Sequence, residues 1–174
     1  MRIVFAGTPG FAERSLAALL AAGHDVSLAL TQPDRPAGRG MRAAQSAVKQ
    51  LAVRCGIPVF QPVSLRESAS VEVVRSASPE VLVVAAYGMI LPEALLGIAP
   101  LGALNIHASL LPRWRGAAPI QHALLAGDRA TGVSIMRMDR GLDTGPVLAR
   151  RPVTIAEDET AATLHEKLAA LGAE

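Results

Sequence analysis

A chain of 174 residues, 51% hydrophobic, is long enough to bury a sizeable core in one domain, and with only 3% aromatic residues that core must be built from Val, Leu, Ile and Ala. No apolar run approaches the length of a membrane span, and the single Cys55 excludes an internal disulfide framework and suits a reducing cytoplasm. The net charge is only +2, but it is unevenly placed, and no Cys/His pair has the spacing of a metal site.

The chain opens with a short apolar run, Arg2 to Ala6, too brief for a secretory signal. It ends in Gly7-Thr-Pro-Gly10, and Phe11 to Ala22 then reads as an amphipathic helix that Gly23 stops. Val26 to Thr31 gives a second strand. The prolines and glycines of Gln32-Pro-Asp-Arg-Pro-Ala-Gly-Arg-Gly40 exclude regular structure there. Helical pattern resumes from Ser46 to Cys55, followed by a short strand at Pro58-Val-Phe60 and a helix from Leu65 to Ser76. Val81 to Ala86 is apolar throughout, as a central parallel strand covered on both faces requires. Strands are expected at Ala103 to His107, Thr131 to Met138 and Val147 to Ile155, with helices at Ala117 to Ala126 and Thr160 to Leu171. This alternation predicts an α/β fold: an open, mostly parallel Rossmann-like sheet flanked by helices on both faces.

Ligands of such sheets bind at the carboxyl ends of strands. Asn105 and His107 close one strand and Asp143 follows another, so the three can meet there. Two residues apart on an extended chain, Asn105 and His107 point to the same face. One offers a neutral hydrogen-bond donor, the other a titratable ring; an acid beside them completes a set able to move protons and stabilise an oxyanion. That combination suggests acyl transfer to an amine. A histidine alone reads more readily as structural, and Asp143 alone as a turn-former; Asp139 keeps that turn-forming reading. Gly7-Thr-Pro-Gly10 lacks both the dinucleotide and the P-loop spacing and is read as a tight strand-to-helix turn, so no NAD or ATP is expected. Leu111 to Ile120 holds the only tryptophan, between two arginines; its helix start can face an anion, or the segment is a plain surface turn. Arg35, Arg39, Arg42 and Lys49 share one segment with Asp34 its only acid; they suit phosphate binding or a solvated loop equally.

Several long motifs occur together: Phe5-Ala-Gly-Thr-Pro9, Thr31 to Gly40, Pro58 to Leu65, Ala85-Ala-Tyr-Gly88, Asn105 to Ile120 and Met138 to Gly145. Over essentially the whole chain they resemble the formyltetrahydrofolate-dependent transformylase family. The Asn-x-His…Ser-Leu-Leu-Pro pattern marks the wider family. Arg113-Trp-Arg-Gly-Ala-Ala-Pro-Ile120 and Pro33 to Gly40 point to its tRNA-specific branch.

The resemblance implies a formyltransferase fold with Asn105, His107 and Asp143 as the catalytic set. It implies 10-formyltetrahydrofolate as formyl donor, resting on Ser109, Leu110, Leu111 and Pro112. The pterin would occupy a pocket edged by Tyr87, Gly88, Met89, Ile90 and Leu91 and by the Gly141 to Gly145 loop. The implied acceptor is the α-amino group of methionyl-initiator tRNA, for translation initiation. Arg35, Arg39, Arg42 and Lys49 would meet the tRNA acceptor end, with Arg39 leading. A cytoplasmic monomer is expected, with no metal, no NAD and no membrane partner. Family members continue into a second, smaller β-rich domain that helps grip tRNA, so residues 1–174 are expected to be the catalytic domain alone. Two other readings stay open: a transformylase acting on glycinamide ribonucleotide or an amino-sugar nucleotide, which the Trp114 motif disfavours, and a catalytically silent folate- or RNA-binding domain. Three departures stand out. Ala108 replaces the usual glycine, Arg140 fills a place normally apolar or small, and Met41 to Lys49 is less basic and less proline-rich than the usual loop.

Overall fold

In the computed structural model, which describes residues 1–37 and 42–174, one sheet organises the chain. Its strands are β1 (Arg2–Gly7), β2 (Asp25–Leu30), β5 (Val59–Phe60), β6 (Val81–Ala85), β7 (Ala103–His107), β8 (Ala130–Arg137) and β9 (Val147–Thr154). They lie in the order β5-β2-β1-β6-β7-β8-β9. From β5 to β7 neighbouring strands run parallel, while β8 and β9 add antiparallel pairs at one end. The expected mostly parallel α/β sheet is what forms.

Side-chain alternation explains why helices cover both faces. Ile3, Phe5, Val81 and Val83 enter one core, whereas Val4, Ala6, Leu82 and Val84 enter the other. Helices α1 (Gly10–Ala21), α2 (Ala47–Arg54), α5 (Pro119–Leu125) and α6 (Ala161–Ala173) bring Phe11, Leu16, Val48, Ile120, Leu164 and Leu168 to the first. Helices α3 (Ser68–Ser76) and α4 (Glu93–Leu96) bring Val71, Val74 and Leu95 to the second. Each fully buried aliphatic side chain of this kind contributes roughly 1.5–3 kcal/mol of transfer free energy.

Where element boundaries differ from expectation, local chemistry gives the reason. Helix α5 begins at Pro119 rather than Ala117 because Ala118 sits at φ 54° and cannot be helical, while proline suits a first helical turn. Helix α2 begins after Ser46, whose hydroxyl accepts from the Lys49 N–H at 3.1 Å. Helix α3 starts only at Ser68, with Leu65 buried ahead of it. The four-residue α4 follows Pro92 and is too short to announce itself by periodicity. The expectation of no regular structure from Gln32 to Gly40 needs correcting. Strand β3 (Arg35–Ala37) pairs antiparallel with β4 (Arg42–Ala44) in a separate two-stranded ribbon. Such a ribbon has two free edges, where a proline strand residue is tolerated, so Pro36 does not bar it.

The crevice of the sheet opens between β1 and β6, where the chain first builds outward towards β5 and then returns to build towards β7. Gly7, at the end of β1, lets β6 and α1 approach closely there. A Cβ on Gly7 would lie 2.5 Å from Ala12 Cβ, 2.8 Å from Phe5 Cε1 and 2.9 Å from the Ala85 carbonyl oxygen. Ordinarily Gly→Ala at a permissive backbone position stabilises slightly by restricting the unfolded chain. Here crowding reverses the sign, and Gly7→Ala should cost about 1–3 kcal/mol. Equilibrium urea denaturation of the variant checks this; an unchanged or raised midpoint would contradict the close approach of β1, β6 and α1.

Candidate active site

Strand β7 delivers Asn105 and His107 to one face, with Ile106 between them buried in the opposite core. His107 is 6% exposed. Its Nε2 lies 2.9 Å from the Trp114 carbonyl oxygen, which can only accept, so Nε2 carries the hydrogen. Nδ1 then faces Asp143 Oδ2 at 3.5 Å, too far for a good hydrogen bond but close enough for a charge to be felt.

Asp143 reaches this position from a loop. Its backbone sits at φ 51°, a left-handed conformation that aspartate tolerates better than most residues. Oδ1 accepts from Asn105 Nδ2 at 3.0 Å and Oδ2 from the Gly116 N–H at 2.9 Å, so the carboxylate ties β7 to two loops. Asp139 shapes the Asp143 loop as expected: its Oδ1 accepts from Thr144 Oγ1 at 2.7 Å and the Gly141 N–H at 2.9 Å. The Thr144 hydroxyl, more than any other neighbour, holds the Asp139 carboxyl below the usual range.

Beside this trio lies a cavity of about 660 Å³, lined by Tyr87 to Leu91 on one side and Gly141 to Asp143 on the other. Ile90 and Leu142, 77% and 68% exposed, give it apolar rims. Tyr87 contributes to this wall as scaffold. Its ring is buried in the core, burial pushes its hydroxyl up to about 12, and that hydroxyl has no hydrogen-bond partner. The Tyr87 carbonyl accepts from Thr8 Oγ1 at 3.0 Å and Gln32 Nε2 at 3.1 Å. Ala108, the departure beside His107, lines the cavity and is buried with the core. Arg140 lines the cavity's edge and makes an exposed ion pair with Glu93 on α4.

Ser109, Leu110, Leu111 and Pro112 do not line the cavity. The Ser109 hydroxyl is fully buried and donates to the Arg113 carbonyl at 2.6 Å, while Ser134 Oγ donates to the Ser109 carbonyl at 2.7 Å and accepts from the Leu111 N–H at 3.0 Å. This turn braces the loop that carries Trp114. Of the basic cluster, Lys49 Nζ contacts Asp34 Oδ2 at 2.6 Å, and that hydrogen bond is the main reason the Asp34 carboxyl lies below its usual range. Arg35 is exposed on β3, Arg42 begins β4, and Arg39 lies outside the described residues. Among the described residues, no group of three His, Cys, Asp or Glu side chains could hold a metal ion, and no helix is long and apolar enough to cross a membrane.

Three participants escaped the sequence: the Trp114 carbonyl, the Gly116 N–H and Asp128. Asp128 Oδ2 accepts from Arg113 Nε at 2.8 Å and Trp114 Nε1 at 2.7 Å, and Oδ1 accepts from Arg113 Nη2 at 2.7 Å. Only the unexplained tryptophan between arginines hinted at such a contact.

An amide, an imidazole and a carboxylate gathered at the strand ends of an open α/β sheet suit proton-coupled acyl transfer. The family model for formyl transferases matches residues 1–174, and the chain belongs to that family. The methionyl-tRNA formyltransferases of Nitrosospira multiformis and Thiobacillus denitrificans are 62% and 60% identical to it over 173 residues. These matches cover 99% of this chain but 55% and 56% of those proteins, so the chain spans about half the length of the curated relatives it matches. Among solved structures, a phosphoribosylglycinamide formyltransferase from Bacillus halodurans superposes with a TM-score of 0.82 at 28% identity, covering 99% of this chain and 90% of that one. A formyltetrahydrofolate deformylase from Pseudomonas syringae pv. tomato, at 21% identity and a TM-score of 0.78, shares the fold; 99% of this chain covers 57% of that one.

The Asp128 contacts predict a pH dependence of stability. Hydrogen bonds from Arg113 first and Trp114 second lower the Asp128 carboxyl from 3.8 to about 2. A depressed carboxyl stabilises the fold fully above its unfolded value, and that stabilisation is lost as pH falls through the folded one. Asp128→Asn should therefore weaken the fold above roughly pH 5 and flatten its acid destabilisation between roughly pH 4 and pH 2. Urea denaturation of both proteins across that range checks it; parallel curves would contradict the assignment.

Proposed function

We propose that the chain transfers a formyl group from 10-formyltetrahydrofolate to the α-amino group of methionyl-initiator tRNA, for translation initiation. The observation that carries this reading is the Asn105–Asp143–His107 juxtaposition beside an apolar-rimmed cavity. The choice of acceptor is supported by 62% identity to a methionyl-tRNA formyltransferase, against 28% to the phosphoribosylglycinamide enzyme. In this reading residues 1–174 are a catalytic domain, working in the cytoplasm as a monomer.

The residues suit the chemistry. When bound, the folate supplies a formyl group on nitrogen, and amine attack on its carbon moves negative charge onto the formyl oxygen. Asn105 spends one Nδ2 hydrogen on Asp143 and keeps the second for that oxygen. His107, when protonated, supplies cationic charge beside it. Asp143 takes the proton of the attacking amine, directly or through a water, and balances the imidazolium. Collapse restores the carbonyl as the bond to the folate nitrogen breaks, and that nitrogen takes the proton Asp143 removed from the amine.

The cavity fits a flat heterocycle. Ile90 and Leu142 can cover its faces, and the backbone of Gly88, Met89 and Leu91 offers polar edges. Ser109, Leu110, Leu111 and Pro112 would act on the folate through the loop they brace. Arg35, Arg42 and Arg39 would neutralise tRNA phosphates, with Lys49 anchoring the ribbon's base through Asp34.

Formyl transfer to methionyl-tRNA from 10-formyltetrahydrofolate tests the reading, with glycinamide ribonucleotide as the competing acceptor. Asn105→Ala and His107→Ala should each lower the rate by about 100-fold or more while the circular dichroism of the fold persists. Near-normal turnover of either variant would remove it from the catalytic set.

For the basic segment, Arg39→Ala should weaken tRNA binding and lower its salt slope by about one, leaving folate affinity unchanged. Titrations at several salt concentrations decide this. Identical affinity and slope would return the segment to a solvated loop.

A further inference from the structure

We infer that Asp128 is a positioning residue for His107, acting through the tryptophan between them; the inference rests on the catalytic reading of His107 given above. Asp128 follows α5, and its own N–H is tied back to the Ala123 carbonyl at 3.0 Å, so its carboxylate starts from a fixed point. From there it accepts the Trp114 indole N–H at 2.7 Å and both Arg113 donors at 2.7 and 2.8 Å. The indole is also held on its ring face. His122 stacks on it with centroids 5.4 Å apart and planes 14° from parallel, and the Arg113 guanidinium carbon lies 4.3 Å from a ring centroid.

This clamp matters because of the backbone it holds. Trp114 sits at φ 58°, a left-handed conformation that a bulky residue does not adopt by its own preference. In that conformation its carbonyl meets His107 Nε2 at 2.9 Å. A carbonyl there requires the hydrogen on Nε2 and leaves Nδ1 as the nitrogen that exchanges a proton beside Asp143. The order of action is therefore carboxylate, indole, carbonyl, imidazole. Asp128 touches no reacting atom. It selects the tautomer of the ring that does, as the outer partner of a metal-bound histidine does. The plainer alternative, an ion pair that merely braces a surface turn, would leave the ring's tautomer indifferent to its removal.

The chain has four histidines, so the two-bond proton–nitrogen spectrum of a ¹⁵N-labelled sample is simple, and His107→Gln identifies the His107 signals. In the unsubstituted chain the neutral ring should show Nε2 protonated and Nδ1 bare. In Asp128→Ala the two nitrogen shifts should converge towards those of a tautomer mixture. Formyl transfer should fall about 10-fold in kcat with little change in KM for tRNA. Trp114→Phe, which keeps an aromatic ring and deletes the indole N–H, should move the shifts the same way and serves alone if Asp128→Ala does not fold. Unchanged His107 shifts in a folded variant would overturn the proposal, as would an unsubstituted ring already protonated on Nδ1. The tautomer readout needs no substrate. If the chain formylates no methionyl-tRNA while the shifts still converge, the functional reading fails and the positioning role stands.

Discussion

The carboxylate of Asp143 is the contact on which the site depends. It accepts Asn105 Nδ2 with one oxygen and the Gly116 N–H with the other, and the second oxygen also faces His107. One side chain thereby joins β7, the loop after Trp114 and the loop before β9. None of these would find the others through local structure, since the loops are irregular and the strand is short. A partly buried carboxylate with fixed donors on both oxygens resists displacement, because any movement leaves a half-buried N–H unpaired. Without it β7 and the two loops would lose their common anchor.

The sheet places that contact. Its alternation sends Val81 and Val83 into one core and Leu82 and Val84 into the other, so β6 is pinned from both sides and its carboxyl end is fixed. Neighbouring β7 runs parallel in register with it, Val84 opposite Asn105. The Asn105 amide is thus carried by a strand whose neighbour is packed from both sides. The acid comes from a loop, where a backbone angle of φ 51° is available. Strand-borne amide and imidazole with a loop-borne acid divide the work between precision and reach.

What the sequence disclosed follows the range of the interaction. Asn105 and His107 on one face came from strand periodicity alone, and Val81 to Ala86 as a covered central strand came from its unbroken apolar run. Asp143 looked like a turn-former until family resemblance singled it out, because its partners lie 38 and 27 residues away in the chain. Asp128 was invisible for the same reason: its link to Trp114 crosses 14 residues and a helix. The ribbon of β3 and β4 was hidden by Pro36, since proline argues against strands in general while only central ladders forbid it. Ser109 shows the opposite case. Its hydroxyl serves its own chain at Arg113 rather than opening on the cavity, which no pattern of residue types distinguishes in advance.

Two further ion pairs differ in exposure, and that gives them different work. Lys49 and Asp34 keep only 19% and 24% of their side chains exposed, and Gln61 adds a further hydrogen bond to Asp34 at 2.8 Å. Partly shielded and shared among three residues, this pair fixes the base from which the β3–β4 ribbon departs. Arg140 and Glu93 are 79% and 63% exposed, so solvent screening leaves their attraction little net effect on stability. The pair still ties Arg140, at the cavity's edge, to α4. A contact this exposed is cheap to break, because water receives the charge of Arg140 when the pair opens. The anchored ribbon and the breakable bridge follow from one difference, how much water each pair can see.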